Sequence, residues 1–326
     1  MLLDTHQRIH DYLRISLTDN CNFRCHYCMP EEILKTLPNK HLMQVNEIEE
    51  IAKIFVDLGV KKIRLTGGEP MVRKEFPEIL HRISKLPVEL SLTTNAVLVN
   101  KYLDNLKSAS IRTINVSLDT LNRETFKKIT KRDQFQRVWD NILMLLSEGF
   151  RVKINVVGIQ GVIEAELLDF VEITKNLPLH VRIIEFMPFS GNNWNSKKVI
   201  TADQMLKLAQ EEYDMVKLKD EPNATAKKYK AIGHKGTFAF ITTMSEYFCG
   251  TCNRMRLTAD GKMKNCLFGS EEMDLLGTLR KGKDIIPLIK TSVKRKHAVM
   301  GGQFSKDYRK ADASQLTNRS MIKIGG

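Results

Sequence analysis

Six short runs rich in β-branched residues recur between Arg14 and Phe186, and amphipathic segments separate them. Each run is bounded by polar or turn-forming residues, which is typical of β-strands, while the segments between them have apolar residues at helical spacing. Strands that alternate with helices predict βαβ units and a parallel sheet, so we expect an α/β protein. The predicted strands are Arg14–Thr18, Lys62–Thr66, Glu89–Thr93, Thr113–Ser117, Val152–Val157 and Val181–Phe186.

One of the predicted helices carries clear start and stop signals. In NEIEEIAKIFVDLG, Asn46 is placed as the N-cap and Glu49 follows three residues later, as in a capping box. Gly59 comes just after the last apolar residue, where helices commonly end. We therefore predict a helix that begins after Asn46 and ends before Gly59.

Polar residues follow one predicted strand after another. Asp19, Glu69 and Asn95 come shortly after the first three strands, and Ser117 and Glu185 lie at the ends of later ones. The carboxyl ends of parallel strands meet at one edge, which is where barrel folds build their active sites. A site made from so many strand ends favours a barrel, or part of one, over an open sheet with a single crevice, although six units are too few for a complete eight-fold barrel.

The alternation of strands and helices fails after about residue 230. The segment RMRLTADGKMKNCLF predicts a hairpin with Asp260 and Gly261 at its turn. We therefore predict a core domain over residues 1–230 and a smaller C-terminal domain over residues 231–326. The basic run from Lys290 to His297 is interpreted as the solvated face of a helix.

All six cysteines fall into two groups of three. The first group has the spacing C-x3-C-x2-C, and the second has C-x2-C with a third cysteine after the hairpin. Thiolates suit zinc or iron–sulfur clusters, but structural zinc prefers four closed ligands. A four-iron cluster held by three cysteines keeps one iron open for a substrate or cofactor. The first triplet is Cys21, Cys25 and Cys28, and the second triplet is Cys249, Cys252 and Cys266.

Two other uses of the cysteines stay open at this point. His26 or His297 could complete a structural zinc site, or the six thiols could form disulfides. No apolar signal segment is visible at the start, and no apolar run is long enough to span a membrane. We therefore expect a cytoplasmic protein whose thiols are reduced.

The formal net charge of +13 favours anionic partners, which range from nucleoside triphosphates to nucleic acid. A basic, zinc-stabilised nucleic-acid-binding protein is therefore one alternative. The pattern expected of a single-strand binder, a basic stripe with interleaved aromatic residues, is not seen in the sequence. We accordingly expect no nucleic-acid partner.

The cysteine spacing and the segment after the second predicted strand resemble the signatures of a known superfamily. C-x3-C-x2-C with Tyr27 before the last cysteine is similar to the cluster motif of radical S-adenosylmethionine (SAM) enzymes, and TGGEP over Thr66–Pro70 resembles their methionine-binding motif. Nearly the whole chain further resembles the molybdenum cofactor biosynthesis protein A family, the GTP 3′,8-cyclases. The matching segments are RISLTDNCNFRCHYCMP, KKIRLTGGEPMVRK, LTTNAVLV, INVSLD, VKINVV, IEFMP, FCGTCNRMRLTADGKMKNCLF and the terminal GG.

This resemblance implies a fold, cofactors and site residues. The fold is an incomplete (βα)6 TIM-type barrel, the radical SAM core, with a smaller C-terminal domain that carries a second iron–sulfur cluster. The cofactors are SAM and two [4Fe–4S] clusters, which the two cysteine triplets hold. The implied SAM contacts are Tyr27, Gly68, Glu69, Ser117 and Met187. The implied GTP contacts are Arg14, Arg64, Thr93, Lys153, Arg254, Met255 and Arg256, and the implied catalytic residues are Arg254, Arg256, Gly325 and Gly326.

Three of the implied GTP contacts also stand out on chemical grounds. Arg14, Arg64 and Lys153 begin or lie within apolar strands, where an unpaired cation is costly. A triphosphate is a natural partner for such cations. Two positions depart from the family pattern, because Asn20 stands where Arg is expected and Ala96 stands where Gly is usual.

The implied reaction is radical cyclisation of GTP by a lyase. A 5′-deoxyadenosyl radical takes the ribose 3′ hydrogen, and the carbon radical attacks C8 of guanine. The product, (8S)-3′,8-cyclo-7,8-dihydroguanosine 5′-triphosphate, belongs to the first step of molybdopterin biosynthesis. The implied partners are GTP, an electron donor such as flavodoxin or ferredoxin, a downstream cyclic pyranopterin monophosphate synthase and a second copy in a homodimer, without a membrane. The alternative is a peptide-modifying radical SAM enzyme with an auxiliary cluster, which should lack the Arg254 and Arg256 pair and the Gly-Gly tail.

Overall fold

The computed structural model describes residues 1–29, 36–304 and 307–325, and its strands form one twelve-stranded mixed sheet. The first six strands are parallel and lie next to one another in chain order. The α/β class predicted from the alternation is therefore confirmed. The strands are β1 Tyr12–Ser16, β2 Lys62–Thr66, β3 Glu89–Thr94, β4 Thr113–Ser117, β5 Arg151–Gly158 and β6 His180–Glu185. The helices among them are α1 Val45–Asp57, α2 Phe76–Ile83, α3 Leu103–Ser108, α4 Arg123–Thr130, α5 Phe135–Ser147 and α6 Leu167–Asn176.

The later strands extend the same sheet at both of its edges. The next elements are α7 Ala202–Glu212, β7 Met215–Lys217, β8 Ala226–Ala231, β9 Thr237–Ile241, β10 Arg254–Leu257 and β11 Lys262–Lys264. They are followed by β12 Met273–Asp274, α8 Leu275–Arg280, α9 Ile286–Lys294 and α10 Met321–Ile324. The strand order is β12-β11-β10-β1-β2-β3-β4-β5-β6-β9-β8-β7, with β9 parallel to β6 and β10 parallel to β1.

Strand pairing explains where the predicted bounds held and where they shifted. β2 and β4 have the predicted bounds. β1 begins at Tyr12 instead of Arg14 because Tyr12 already pairs with Lys62 of β2 and with Arg254 of β10. The predicted hairpin is confirmed by the antiparallel pairing of β10 with β11. The predicted domain boundary at residue 230 falls within β8, and the division into two domains stays a prediction.

The helices bury their apolar faces in the core of the molecule. In α1, Gln44 and Glu47 form the capping box, so the predicted pair Asn46 and Glu49 was placed two residues too late. The helix starts earlier because Asn46 already lies in its first turn. Gly59, with a φ of +101°, confirms the predicted end. Among the described residues, no helix is both long and apolar enough to cross a membrane.

Candidate active site

Two adjoining cavities are lined by residues of the parallel strands and of the loops at their carboxyl ends. We call the one lined by the first cysteine triplet the first cavity, and the one lined by the second triplet the second cavity. Folding thus brings two triplets that are far apart in sequence onto neighbouring walls. The residues common to both walls are Thr93, Asn155, Ile184, Met187 and Met321.

The first triplet lies in the loop that follows β1. The amide of Arg24 anchors this loop to the end of α4 by donating to the carbonyl of Thr130 at 2.9 Å. Burial raises the pKa of Cys21 to about 11 and the pKa of Cys28 to about 12. The amide of Phe23 donates to Sγ of Cys21 at 3.4 Å. These thiols lie in apolar surroundings and would have to lose protons to bind a metal.

The glycines after β2 pack directly against the loop of the first triplet. The amide of Gly68 donates to the carbonyl of Thr18 at 2.7 Å. A Cβ atom on Gly67 would lie 2.6 Å from the Thr18 oxygen, and one on Gly68 would lie 2.4 Å from the Asn20 oxygen. Glycine is therefore required at both positions by the close approach of two backbones. Asn20, where the family pattern predicts Arg, contributes through its backbone while its side chain is exposed.

Glu69, one of the predicted SAM contacts, is hydrogen-bonded within the fold. Its carboxylate accepts hydrogen bonds from Thr94 Oγ1 at 2.8 Å, the amide of Asn95 at 2.7 Å and the amide of Met71 at 3.2 Å. Burial raises the pKa of this carboxyl to about 7. Among the described residues, the wall of the first cavity includes Gly68 but not Glu69. Glu69 thus braces the turn after β3, and its role as a SAM contact stays a prediction.

Tyr27 and Asp119 form a half-buried pair on the wall of the first cavity. The Tyr27 hydroxyl donates to one carboxylate oxygen of Asp119, and the other oxygen accepts from the amide of Val157 at 2.9 Å. Burial raises the pKa of both groups. Ser117 and Met187, both predicted, line the same cavity. Asp119 was not assigned a role from sequence, although its position after β4 pointed to this edge.

The second triplet lies in electropositive surroundings. Burial alone would raise the pKa of Cys252, but the charges of Lys296 and Arg254 lower it to about 6. The Nζ atom of Lys296 donates to Sγ of Cys252 at 3.5 Å. Lys296 is buried, so the prediction that the whole basic run faces solvent is wrong at this residue. The run leaves the helix before this point, because α9 ends at Lys294.

The thiols of both triplets are unbonded. All six cysteines are free, which contradicts the disulfide alternative. Burial raises the pKa of Cys25, and the charges of Asp119 and Cys28 raise it further. Across the described ranges, no three His, Cys, Asp or Glu side chains are grouped closely enough to hold a single metal ion. His26 and His297, the candidates for a fourth zinc ligand, are exposed.

A row of arginines crosses three neighbouring strands beside the second triplet. In the sheet register, Arg14 of β1 lies between Arg256 of β10 and Arg64 of β2, and all three line the second cavity. Arg254 lines it as well, with its guanidinium 5.0 Å from the centre of the Phe248 ring. The structure therefore brings these predicted GTP contacts together on one wall.

Of the cations on this wall, Arg182, Arg254 and Arg256 are buried, and Arg14 and Arg64 are half-buried. Among the described residues, none of the five forms an ion pair with an acidic side chain. Burial, and then the charge of a neighbouring cation, lowers the pKa of Arg182 to about 9. The same two effects lower the pKa of Lys153 to about 8, although Lys153 is not among the described residues that line either cavity. Arg182 lines the second cavity and donates to Asn115 Oδ1 at 2.5 Å. Sequence reasoning missed Arg182, although it lies within an apolar strand, the signal used for Arg14 and Lys153. Five buried atoms of the two walls have no hydrogen-bond partner among the described residues, namely Nε of Arg14, Arg182 and Arg256, Thr93 Oγ1 and Asn155 Oδ1.

Met255 and the C-terminal tail complete the predicted set. The Met255 side chain is fully buried in the core, because side chains alternate along β10 and its neighbours point to the cavity. Met255 is not among the described residues that line the second cavity, and its assignment as a GTP contact stays a prediction. Gly325, with a φ of +83°, lies so close to the ends of β1 and β2 that a Cβ atom would be 2.8 Å from Ser16 Cβ. Gly326 lies outside the described residues.

The chain matches two family models. Residues 15–173 match the radical SAM superfamily, and residues 179–301 match Molybdenum Cofactor Synthesis C. The fold is similar to the crystal structure of SuiB from Streptococcus suis, with a TM-score of 0.63 at 16% sequence identity over 91% of this chain and 68% of that chain. The fold and the cysteine loop after its first strand thus define a radical SAM protein.

Two curated relatives define the family more narrowly. The mitochondrial GTP 3′,8-cyclase of Arabidopsis thaliana is 44% identical over 100% of this chain and 84% of that protein. Molybdenum cofactor biosynthesis protein 1 of Mus musculus is 44% identical over 99% of this chain and 51% of that protein, so the chain spans about half the length of the mouse relative. The chain belongs to the GTP 3′,8-cyclase family of molybdenum cofactor biosynthesis.

Proposed function

We propose that the protein is a radical SAM GTP 3′,8-cyclase, which converts GTP to (8S)-3′,8-cyclo-7,8-dihydroguanosine 5′-triphosphate in the first step of molybdenum cofactor biosynthesis. One observation carries the proposal. Two cysteine triplets line adjoining cavities, and the second cavity also has a wall of buried and half-buried cations. A site that generates a reactive group is thereby next to a site that suits an anionic substrate.

In the first cavity, the first triplet would hold a [4Fe–4S] cluster, and Tyr27, Gly68, Ser117 and Met187 would bind SAM. The donor set fits, because three separated thiols suit a multi-iron group and leave one iron open. When bound, the cluster and SAM supply a 5′-deoxyadenosyl radical for removal of the ribose 3′ hydrogen of GTP. The Glu69 carboxylate positions the turn after β3, and its contact with SAM stays a prediction.

In the second cavity, the second triplet would hold another [4Fe–4S] cluster, and the buried cations would bind the triphosphate. Guanidinium groups donate in pairs to phosphate oxygens, and Arg14, Arg182 and Arg256 each have a buried Nε without a partner among the described residues. Thr93 and Asn155 lie on the shared wall with unpartnered oxygens that suit ribose hydroxyls. The ribose would therefore lie where the two cavities meet. The other cations proposed for the triphosphate are Arg64, Lys153 and Arg254.

Two arginines and the tail are proposed to act on the base and on the later steps. Arg254 lowers the pKa of Cys252, so its charge lies beside the second triplet, and Arg256 lies next to Arg14 in the row. Both guanidinium groups can place a positive charge beside the guanine and so stabilise negative charge that develops on it during the reaction. Gly325 lies at the ends of β1 and β2, near the cavities, and we propose that it and Gly326 act in the later steps.

The finer architecture and the partners belong to the same proposal. Strands β1–β6 with their helices would form an incomplete (βα)6 barrel, which a C-terminal domain over residues 231–326 covers. The free thiols support a reducing compartment, the cytoplasm. An electron donor such as flavodoxin or ferredoxin would reduce the protein, and cyclic pyranopterin monophosphate synthase would receive the product. Two copies would form a homodimer.

The buried arginines of the second cavity separate this function from the alternatives. A nucleic-acid-binding protein presents its cations on an accessible face, whereas Arg182 and Arg256 are both buried. A peptide-modifying enzyme with an auxiliary cluster has no need for several cations without acidic partners in one cavity, since these suit a polyphosphate.

Anaerobic incubation of the iron- and sulfide-reconstituted protein with SAM, dithionite and GTP deuterated at C3′ tests the proposal. We expect one 5′-deoxyadenosine per cyclised GTP, and we expect the deuterium to appear in the 5′-deoxyadenosine. ATP serves as the control nucleotide and should not turn over. Equal turnover of ATP, or unlabelled 5′-deoxyadenosine beside cyclised GTP, would contradict the proposal.

A further inference from the structure

One buried lysine lies against the second triplet. Lys296 is only 3% exposed, although its neighbours in the basic run are at the surface. Its Nζ atom donates to Sγ of Cys252 at 3.5 Å and to the carbonyl of Arg254 at 2.8 Å. These are its side-chain partners in the parts of the chain that the structure describes, and neither is a carboxylate. A buried ammonium is costly without an anion beside it, so the thiolates are its natural counter-ions.

The backbone next to Lys296 is fixed to the loop of the second triplet. The Nη1 atom of Arg8 donates to the carbonyl of Cys249 at 2.8 Å and to that of Ala298 at 2.9 Å. Its Nη2 atom donates to the carbonyl of His297 at 2.9 Å. One guanidinium thus ties the cysteine loop to the two residues that follow Lys296, which holds the ammonium in place relative to the thiols.

A second buried lysine near the triplet shows the contrasting arrangement. Lys264 is 1% exposed and precedes Cys266 by two residues. Its Nζ atom lies 3.5 Å from a carboxylate oxygen of Glu272 and donates to the carbonyl of Gly269 at 2.6 Å. Because an acidic side chain offsets its charge, Lys264 does not require the thiolates as partners.

We propose that Lys296 is a positioning residue, the counter-ion of the iron–sulfur cluster at the second triplet, and that its charge sets the reduction potential of that cluster. The inference rests on the proposed function, because it needs a cluster at this place. A cluster held by thiolates is anionic, and reduction adds one electron and therefore one more negative charge. A fixed ammonium stabilises the reduced form more than the oxidised form, so it raises the reduction potential.

A redox titration followed by electron paramagnetic resonance tests this role. The parent protein carries Cys21→Ser, Cys25→Ser and Cys28→Ser, so that it binds only the second cluster, and dithionite supplies the electron. We expect the midpoint potential to fall in Lys296→Met, to fall less in Lys296→Gln, which keeps an N–H donor, and to stay near the parent value in Lys296→Arg. Lys264→Met is the matched control and should leave the potential unchanged.

The parent protein distinguishes failure of the proposed function from failure of the role of Lys296. If it folds, by circular dichroism, but binds no cluster, the proposed function fails. If the cluster forms and Lys296→Met has the parent's potential at equal iron content, only the role of Lys296 fails. Loss of the cluster from Lys296→Met but not from Lys264→Met supports the counter-ion role, whereas equal loss from both variants contradicts a specific role for Lys296.

Discussion

The guanidinium of Arg8 donates a hydrogen bond of 2.8 Å to the carbonyl of Cys249, a residue 241 positions further along the chain. The Nε atom of Arg8 donates to Oδ2 of Asp4 at 2.6 Å, and the same oxygen lies 3.0 Å from Nε2 of His10. Burial would raise the pKa of Asp4, but the hydrogen bonds from His10 and Arg8 lower it well below its usual range. The residues before β1 therefore help to position the loop of the second triplet.

Removing this guanidinium should release the loop of the second triplet. We expect Arg8→Ala to bind less iron, because the loop that carries Cys249 is no longer held in place. We also expect its free energy of unfolding to fall by about 3 kcal/mol, because Asp4 keeps a buried charge without its partner. Iron analysis and urea unfolding measure the two effects. Arg280→Ala is the control, since Arg280 also bonds a carboxylate and two carbonyls, away from the cysteines. Equal iron in the two variants would contradict the role of Arg8.

The tail should tolerate no side chain at Gly325. Gly325→Ala and Gly282→Ala both place alanine at a positive φ, which costs about 1–2 kcal/mol. A Cβ atom at Gly325 would clash with Ser16, whereas one at Gly282 meets open space. We expect the kcat for GTP to fall by about tenfold or more in Gly325→Ala, because a displaced tail misplaces the reacting groups, and to stay unchanged in Gly282→Ala. The same kcat in both variants would show that the tail does not act in the site.

Arg182 should contribute to GTP affinity even though the sequence of its strand is mostly apolar. Arg182→Met removes a donor from the second cavity, and a hydrogen bond to a charged group contributes about 1.5–3 kcal/mol. We therefore expect the Kd for GTP, measured by equilibrium dialysis without SAM, to rise by about tenfold or more. Arg112→Met, at an exposed arginine just before β4, should leave the Kd unchanged. An unaltered Kd in Arg182→Met would remove this residue from the substrate site.

GTP binding should weaken in alkaline solution. Burial, and then the charge of Arg182, lowers the pKa of Lys153 to about 8, so its ammonium loses its proton as the pH rises through that value. If the triphosphate binds the charged form, affinity falls as the pH rises above about 8. The measurement starts at pH 7, because the terminal phosphate of GTP itself takes up a proton at about pH 6. Lys153→Met should bind GTP more weakly at pH 7 and should lack this fall. A dialysis series across this pH range decides the question, and the same pH profile in both proteins would contradict the prediction.

The strand pattern and cysteine spacing sufficed to predict the α/β class and the two triplets, since both depend on local sequence. Features that depend on distant partners could not be predicted. β1 begins early because of β10, and Lys296 is buried because the carbonyl of Arg254, 42 residues away, accepts from its ammonium. Arg182 could have been found from its place in VRIIEF, by the reasoning applied to Arg14 and Arg64.

Ala96, which stands where the family usually has glycine, is a second feature whose structural basis could not be predicted from the sequence. Ala96 has a φ of +63°, the conformation that glycine prefers, so the turn after β3 is kept without the usual residue. The Asn141 side chain donates to the Ala96 carbonyl at 2.7 Å and helps to hold it. The sequence showed that the residue was unusual, but it could not show what holds the turn.

The central claim is that the two triplets have separate roles at adjoining cavities, and Cys249→Ser tests it most directly. Anaerobic incubation with SAM, GTP and dithionite gives 5′-deoxyadenosine and cyclised GTP as two readouts from one sample. The account predicts that 5′-deoxyadenosine is still formed while cyclised GTP is absent, because the first triplet and its cavity are intact. Equal loss of both products, in a variant that folds and keeps the iron of the first triplet, would contradict it.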